Sequence, residues 1–206
     1  MYIIDFDGTL VDIWNRYYTV FNDFWKISSL TLEKYMYLKR EYELDSIIIK
    51  HLLGEVDAST FERYKNFKNE HLEDMAYLKL DSLITQKERL SSFFSENDAI
   101  ILTIRTNKSN LIKQLNNLGI RGLSEKIIIL DNNGKQTKKI WVENNIGKNI
   151  SKIVVGDSEM DLYIGELENT RVYLVETGLR NPIKTMSKLS IQGEIYSDVN
   201  CVINNV

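Results

Sequence analysis

Residues 3–9, IIDFDGT, decide how this chain is to be read. Two aliphatic residues that read as the inside of a buried strand run straight into Asp5 and Asp7, with Gly8 and Thr9 behind them. Along a strand, residues two apart point to the same side, so both carboxylates can lean toward one site at the strand's carboxyl end. Two anions held there call for a cation or a shared proton. Gly8 permits a sharp departure of the chain and close approach of backbone to a ligand, while Thr9 offers a hydroxyl and an amide. The cluster favours an anionic ligand bridged by a metal. Taken alone, the Asp-Gly pair also reads as a helix N-cap in which an aspartate accepts orphan amides.

Working outward, short aliphatic runs recur at Tyr2 to Ile4, Ala99 to Thr103, Lys126 to Leu130, Ile153 to Val155 and Val172 to Val175. They are continuous rather than alternating, as strands of a parallel sheet covered on both faces require. Helical patterns fall between the later runs: Leu111, Leu115 and Leu118 before Gly119, then Trp141, Val142 and Ile146 before Gly147, then a segment after Asp157 reaching Leu167. Glycine just past the last apolar position is a helix stop. The alternation from Ser82 onward predicts an α/β fold with a Rossmann-like, doubly wound parallel sheet. Residues 14–79 break it. Trp14, Tyr17, Tyr18, Phe21 and Trp25 fall at helical spacing, and so do Leu32, Tyr35 and Met36, and then Phe61, Tyr64, Phe67, His71 and Leu72. This predicts a small α-helical subdomain inserted into a core made of residues 1–13 and 80–206, its aromatics being first of all the packed faces of amphipathic helices.

At 206 residues the chain fits one domain with a modest insertion. A net charge of −3 from near-equal counts of acids and bases excludes a whole-protein field for nucleic acid or an anionic membrane. The single cysteine, Cys201, cannot form an internal disulfide, and the first residues carry neither a basic n-region nor a long apolar h-region, so a cytoplasmic address is expected. The apolar runs fall far short of the roughly 20 residues that span a bilayer. Neither His51 nor His71 has neighbours that suggest a metal site or a triad.

In open α/β sheets functional groups collect just past the carboxyl ends of the strands. There the chain carries Thr103 with Arg105, Thr106 and Asn107 close behind, and then Asp157 in GDSEMD with Asp161 one helical turn on. Lys135, Lys138 and Lys139 stand at the start of the intervening helix. Carboxylates from two strands, a hydroxyl from a third and an ammonium from a helix start suit a phosphoryl group with Mg2+, which takes hard oxygen ligands and few protein donors.

DFDGTLVD resembles the first motif of the haloacid dehalogenase-like superfamily, ILT the second, a lysine opening the next helix the third, and GDSEMD the fourth. The helical insertion after the first motif is similar to that family's first type of cap, and the short gap from Thr103 to Lys138 leaves no room for the other. The resemblance implies a Mg2+-dependent phosphatase acting on a small soluble phosphorylated metabolite. Asp5 is then the nucleophile that forms an aspartyl-phosphate, and Asp7 the general acid and base, its main-chain carbonyl joining Asp5 and Asp157 on the metal. Thr103 and Lys138 hold the phosphoryl group, Gly8, Thr9, Arg105 and the alternative lysine Lys135 contribute to phosphate or substrate binding, and Asp161 orients the lysine or a metal-bound water. With Asp5 held ionised on the metal, the Asp7 carboxyl, off the metal and facing that like charge, can keep a proton. Two other readings stay open: a phosphomutase of the same superfamily, and a phosphoryl-accepting binding or signalling protein without turnover. Substrate choice is expected to lie in the insertion, where Lys39 and Arg40 are candidate partners for an organic phosphate.

Overall fold

The computed structural model describes residues 1–134, 136–189 and 191–204. The chain begins with β1 (Tyr2–Ile4) and the short β2 (Val11–Asp12), and five helices follow: α1 (Trp14–Trp25), α2 (Leu32–Tyr42), α3 (Asp45–Leu53), α4 (Ala58–His71) and α5 (Met75–Leu78). Strand β3 (Ser82–Leu83) and helix α6 (Lys87–Glu96) lead to β4 (Ala99–Ile104), α7 (Lys108–Asn117), β5 (Ile127–Leu130) and α8 (Thr137–Asn145). Then come β6 (Lys152–Gly156), α9 (Glu159–Leu162), β7 (Thr170–Val175), α10 (Pro182–Leu189), β8 (Glu194–Tyr196) and α11 (Asn200–Ile203).

The main sheet has six strands in the order β5-β4-β1-β6-β7-β8, and every pairing in it is parallel. Parallel strands need a crossover long enough to hold a helix, and the helices cover both faces. The pleat shows how. In β1, Ile3 packs into one core with Leu102, Val154, Val142 of α8 and Leu162 of α9. Its neighbour Ile4 packs into the other, with Ile101, Val155, Phe94 of α6 and Leu115 of α7. Successive side chains leave a strand on opposite faces, so a strand covered on both sides must be apolar at every position. Ile3 and Ile4 are 1% and 0% exposed; burying each contributes about 2 kcal/mol. The sixth strand, β8, was not legible as an aliphatic run: it is three residues, GluIleTyr, joined to β7 at the sheet edge by backbone pairing.

Strand β1 lies between β4 and β6, where the direction of winding reverses. Crevices of open α/β sheets form at such a point, beyond the carboxyl ends of the strands. From there the chain turns tightly, with the amides of Leu10 and Val11 returning to the Phe6 carbonyl and Gly8 at φ +77°. Strand β2 then pairs antiparallel with β3, which brings the entry and exit of the helical segment side by side. Trp14 at the entry donates its amide to Asp12 Oδ1. The helices pack on one another through Phe21, Tyr35 and Tyr64, so most aromatics in this segment are core. Thr31 caps α2 and Asp57 caps α4. His71 pairs with Asp74, and His51 lies exposed beside Tyr42. Cys201 is half-buried in α11. Among the described residues no helix is long and apolar enough to cross a membrane.

Candidate active site

Asp5 leaves the end of β1, Thr103 stands near the end of β4 and Asp157 follows β6, and all three are buried. Parallel pairing of these strands brings the three ends together. Lys138, in the first turn of α8, reaches Asp5 Oδ1 at 2.6 Å and Asp161 Oδ1 at 2.7 Å. Asp161 in turn accepts from the Ser158 amide and hydroxyl, closing the first turn of α9 as a capping box. Lys139 turns away to Glu166, and Lys135 lies outside the described residues.

Burial makes this a charged site short of cations. It pushes the Asp5 carboxyl up to about 7 against the pull of Lys138. It also raises Asp157 well above the usual carboxylate range, with the charges of Asp5 and Asp161 adding to the effect. Burial alone would lower Lys138, but Asp161 and Asp5 outweigh it and hold the ammonium firmly protonated. Oxygens of Asp5, Asp157 and Asp161 lie within 4.8 Å of one another, and among the described residues no protein donor reaches the Asp157 carboxylate. Two glycines make the approach possible. A Cβ at Gly8 would lie 2.8 Å from Asp157 Oδ2, and one at Gly178 only 1.9 Å from it. The donor set, hard carboxylate oxygens with one lysine for several acids, fits a small divalent cation. Asp161, expected only to orient its neighbours, stands with the oxygens that could hold one.

Asp7 is placed differently from the expectation drawn from its neighbour's charge. Its carboxylate faces Arg105, through Nε at 2.6 Å and Nη2 at 2.7 Å, and Arg16 of α1. Burial by itself would raise Asp7, but Arg105 and then Arg16 outweigh it, so the carboxyl sits below its ordinary range and is ionised. The sequence left Asp7 able to keep a proton beside an ionised Asp5; in the fold the two guanidiniums favour its ionised form. Arg105, expected to touch substrate, is spent on Asp7 and on Gln114 Oε1. Arg16 continues the network, its Nε 3.2 Å from Asp81 Oδ2 as an ion pair without hydrogen-bond geometry, and Gln114 Nε2 donates to the same Asp81 oxygen at 2.7 Å. Sequence reading missed Arg16, Asp81 and Gln114; each reads locally as an ordinary helix or loop polar residue. Thr9 is fully buried, and its hydroxyl has no hydrogen-bond partner among the described residues.

A cavity of about 330 Å³ opens over these groups. Asp5, Asp7, Thr103, Lys138 and Asp157 line it. Tyr17, Lys39 and Lys68 from the helical segment and Arg180 from the loop after β7 also line it. Arg40, the other cation named from the sequence, instead donates to the Glu176 carbonyl and stacks over Trp14.

No protein-family model matches this chain, and no curated protein matches it in sequence. Among solved structures it is similar to a haloacid dehalogenase family hydrolase from Deinococcus radiodurans with bound phosphate and sodium, at 12% identity and a TM-score of 0.62, over 95% of this chain and 90% of that one. It is similar to a predicted phosphoglycolate phosphatase from Haemophilus somnus at 15% identity and a TM-score of 0.64, over 100% and 96% of the two chains. A haloacid dehalogenase-like family protein from Streptococcus pneumoniae matches at 14% identity and a TM-score of 0.59, over 100% and 97%. The fold is therefore that of the haloacid dehalogenase-like hydrolases, as the four sequence motifs implied.

Proposed function

We propose that the protein is a Mg2+-dependent phosphatase that hydrolyses a small phosphomonoester through an aspartyl-phosphate on Asp5. The observation that carries the reading is the buried contact of Asp5 with Lys138 in a cavity also lined by Asp157 and Thr103. Phosphate bound to a similarly folded hydrolase is consistent with it. Asp5, Asp157 and the main-chain carbonyl of Asp7 would hold the ion, with Asp161 as a further oxygen source. When bound, Mg2+ supplies charge neutralisation for the phosphoryl oxygens and for the acids around them.

The chain's own residues then divide the work. Lys138 keeps its proton and pairs with Asp5, which pulls the nucleophile toward its ionised form against burial and offers positive charge to the equatorial oxygens of the phosphoryl group. Thr103, buried at the cavity wall, donates a hydroxyl. The Asp5 carboxylate attacks phosphorus, the ester oxygen leaves, and water later cleaves the acyl phosphate, so one hard step becomes two easier ones. Asp7, ionised against Arg105 and Arg16, is set to accept a proton from that water; protonating a leaving oxygen requires it first to acquire a proton. An ester with a good leaving group suits this arrangement best. Residues 1–13 and 80–206 act as the catalytic core, and residues 14–79 as a cap that covers the reaction.

The test is release of inorganic phosphate from an aryl phosphate by the purified protein with Mg2+, in wild type and Asp5→Asn. Mg2+-dependent release that Asp5→Asn abolishes supports the proposal. No turnover of the aryl phosphate or of a broad phosphomonoester panel would sink it, and isomerisation of a sugar phosphate without phosphate release would make the protein a phosphomutase instead.

A further inference from the structure

The cavity lining also carries cations, Lys39, Lys68 and Arg180, and their donors are not used up. Lys39 and Lys68 share one carboxylate, Asp45, whose two oxygens they take at 2.6 Å each. The Tyr64 hydroxyl also donates to Asp45, at 2.7 Å, so Asp45 is occupied within the protein. An ammonium has three donors. Lys39 uses one on Asp45 and one on the Glu43 carbonyl, which leaves one. Lys68 uses one on Asp45 and lies over the Tyr17 ring, which leaves two. Both side chains line the cavity. Arg180 joins them: its Nε pairs with Glu159 at 3.1 Å, and among the described residues its terminal nitrogens have no partner.

Surface lysines with spare donors are ordinary, because water fills them. Lys39 is not of that kind. It is 4% exposed, and burial brings it down to about 8 in spite of Asp45. A second lysine and an arginine are gathered beside it where only one carboxylate serves the lysine pair. Arg180 has Glu159, but the lysine pair carries one positive charge more than Asp45 neutralises, and a charge taken out of water needs a partner there.

We propose that the substrate carries a second anionic group, a carboxylate or a second phosphate, which Lys39, Lys68 and Arg180 receive while the scissile phosphoryl group lies against Asp5. The assignment rests on the phosphatase reading for the scissile end and on the lysine geometry for the other. A cavity of about 330 Å³ is at the small end of ligand sites, which run roughly from 300 to 1,000 Å³. The substrate class is a short phosphorylated acid or short bisphosphate.

Binding distinguishes this proposal from the phosphatase reading. Phosphonoalkyl carboxylates of graded chain length, their carboxamides and the matching bisphosphonates are titrated into the Mg2+-loaded protein by calorimetry. At the best chain length, a carboxylate or second phosphonate is expected to bind about tenfold or more tightly than the amide, the size of one charge-assisted hydrogen bond. Which of the two gains identifies the group. Lys68→Met, and separately Lys39→Met, should bring acid and amide to within about twofold; Lys68 is the more exposed, so its variant keeps the test open if the Lys39 variant does not fold. Equal binding of acid and amide by wild type, or binding of neither, overturns the proposal. Tenfold selectivity lost in Lys68→Met, together with no turnover of any phosphomonoester, leaves the anion site standing and sinks the phosphatase reading alone.

Discussion

Arg16→Met removes a guanidinium that is 1% exposed and ties together two carboxylates from distant parts of the chain, Asp7 through Nη2 and Asp81 through Nε. Methionine keeps much of the apolar stem, so the change is chiefly the loss of charge and donors. Removing one member of a buried ion pair costs about 3–5 kcal/mol, because the remaining charge is left uncompensated. Two features hold the cost down. Asp7 keeps Arg105, and Asp81, which burial already pushes up to about 7 against the pull of Arg16, can take up a proton. The expected loss is therefore about 3 kcal/mol, the low end of the range. At roughly 2–4 °C per kcal/mol for a chain of this length, Tm falls by about 6–12 °C. The assay is thermal unfolding near neutral pH of wild type, Arg16→Met, Asp81→Asn and the double variant. Asp81→Asn removes the charge that Arg16 neutralises, so the double variant should be about 1 kcal/mol or more better than the sum of the single losses. A Tm for Arg16→Met within about 1 °C of wild type, or strictly additive losses, would refute the idea of a buried electrostatic tie.

Gly178→Ala places a Cβ where Asp157 Oδ2 now lies, 1.9 Å away; displacing that carboxylate should lower kcat/KM for an aryl phosphate by about a hundredfold with circular dichroism unchanged, and full activity would contradict the packing. For Asp45, burial would raise the carboxyl but Lys39 and Lys68 outweigh it and hold it low. Its stabilisation is present above the unfolded value near 4 and is lost as pH falls through the folded one. Urea unfolding should then show wild type losing stability faster than Asp45→Asn below about pH 4, and parallel acid limbs would count against it. Asp81 has the opposite sign, since burial raises it to about 7. The stability it contributes is fully present below the unfolded value and is lost as pH rises through the folded one, so Asp81→Asn should gain on wild type between pH about 4 and 7. A constant difference across that window would show that Asp81 does not titrate there.

The alternation of strand and helix was legible because it is written in consecutive residues. A parallel strand covered on both faces has to be largely apolar, and IIL, IVV and VYLV carry that signature. Edge strand β8 and helix α3 were not legible: three residues have too little pattern for a strand, and Ile47, Ile48 and Ile49 of α3 stand together without a clear helical spacing. The positions of Asp5 and Asp157 just past β1 and β6, and of Thr103 next to the last residue of β4, follow from the same local logic, because each is fixed by where its strand stops.

Charge state and partnership were decided only by the tertiary structure. Two apart in sequence, Asp5 and Asp7 suggested an ionised, metal-bound carboxyl beside one able to keep a proton. In the fold, Arg105 arrives from β4 and Arg16 from α1, and together they hold Asp7 ionised, while burial raises Asp5. Likewise Lys39 and Lys68 lie 29 residues apart and meet at Asp45, and Arg180 joins them only in the cavity lining. Local sequence sets which face a side chain leaves and where a strand ends. Which charges share a buried volume depends on contacts between distant segments, and the low dielectric there makes those contacts, rather than sequence neighbours, govern protonation.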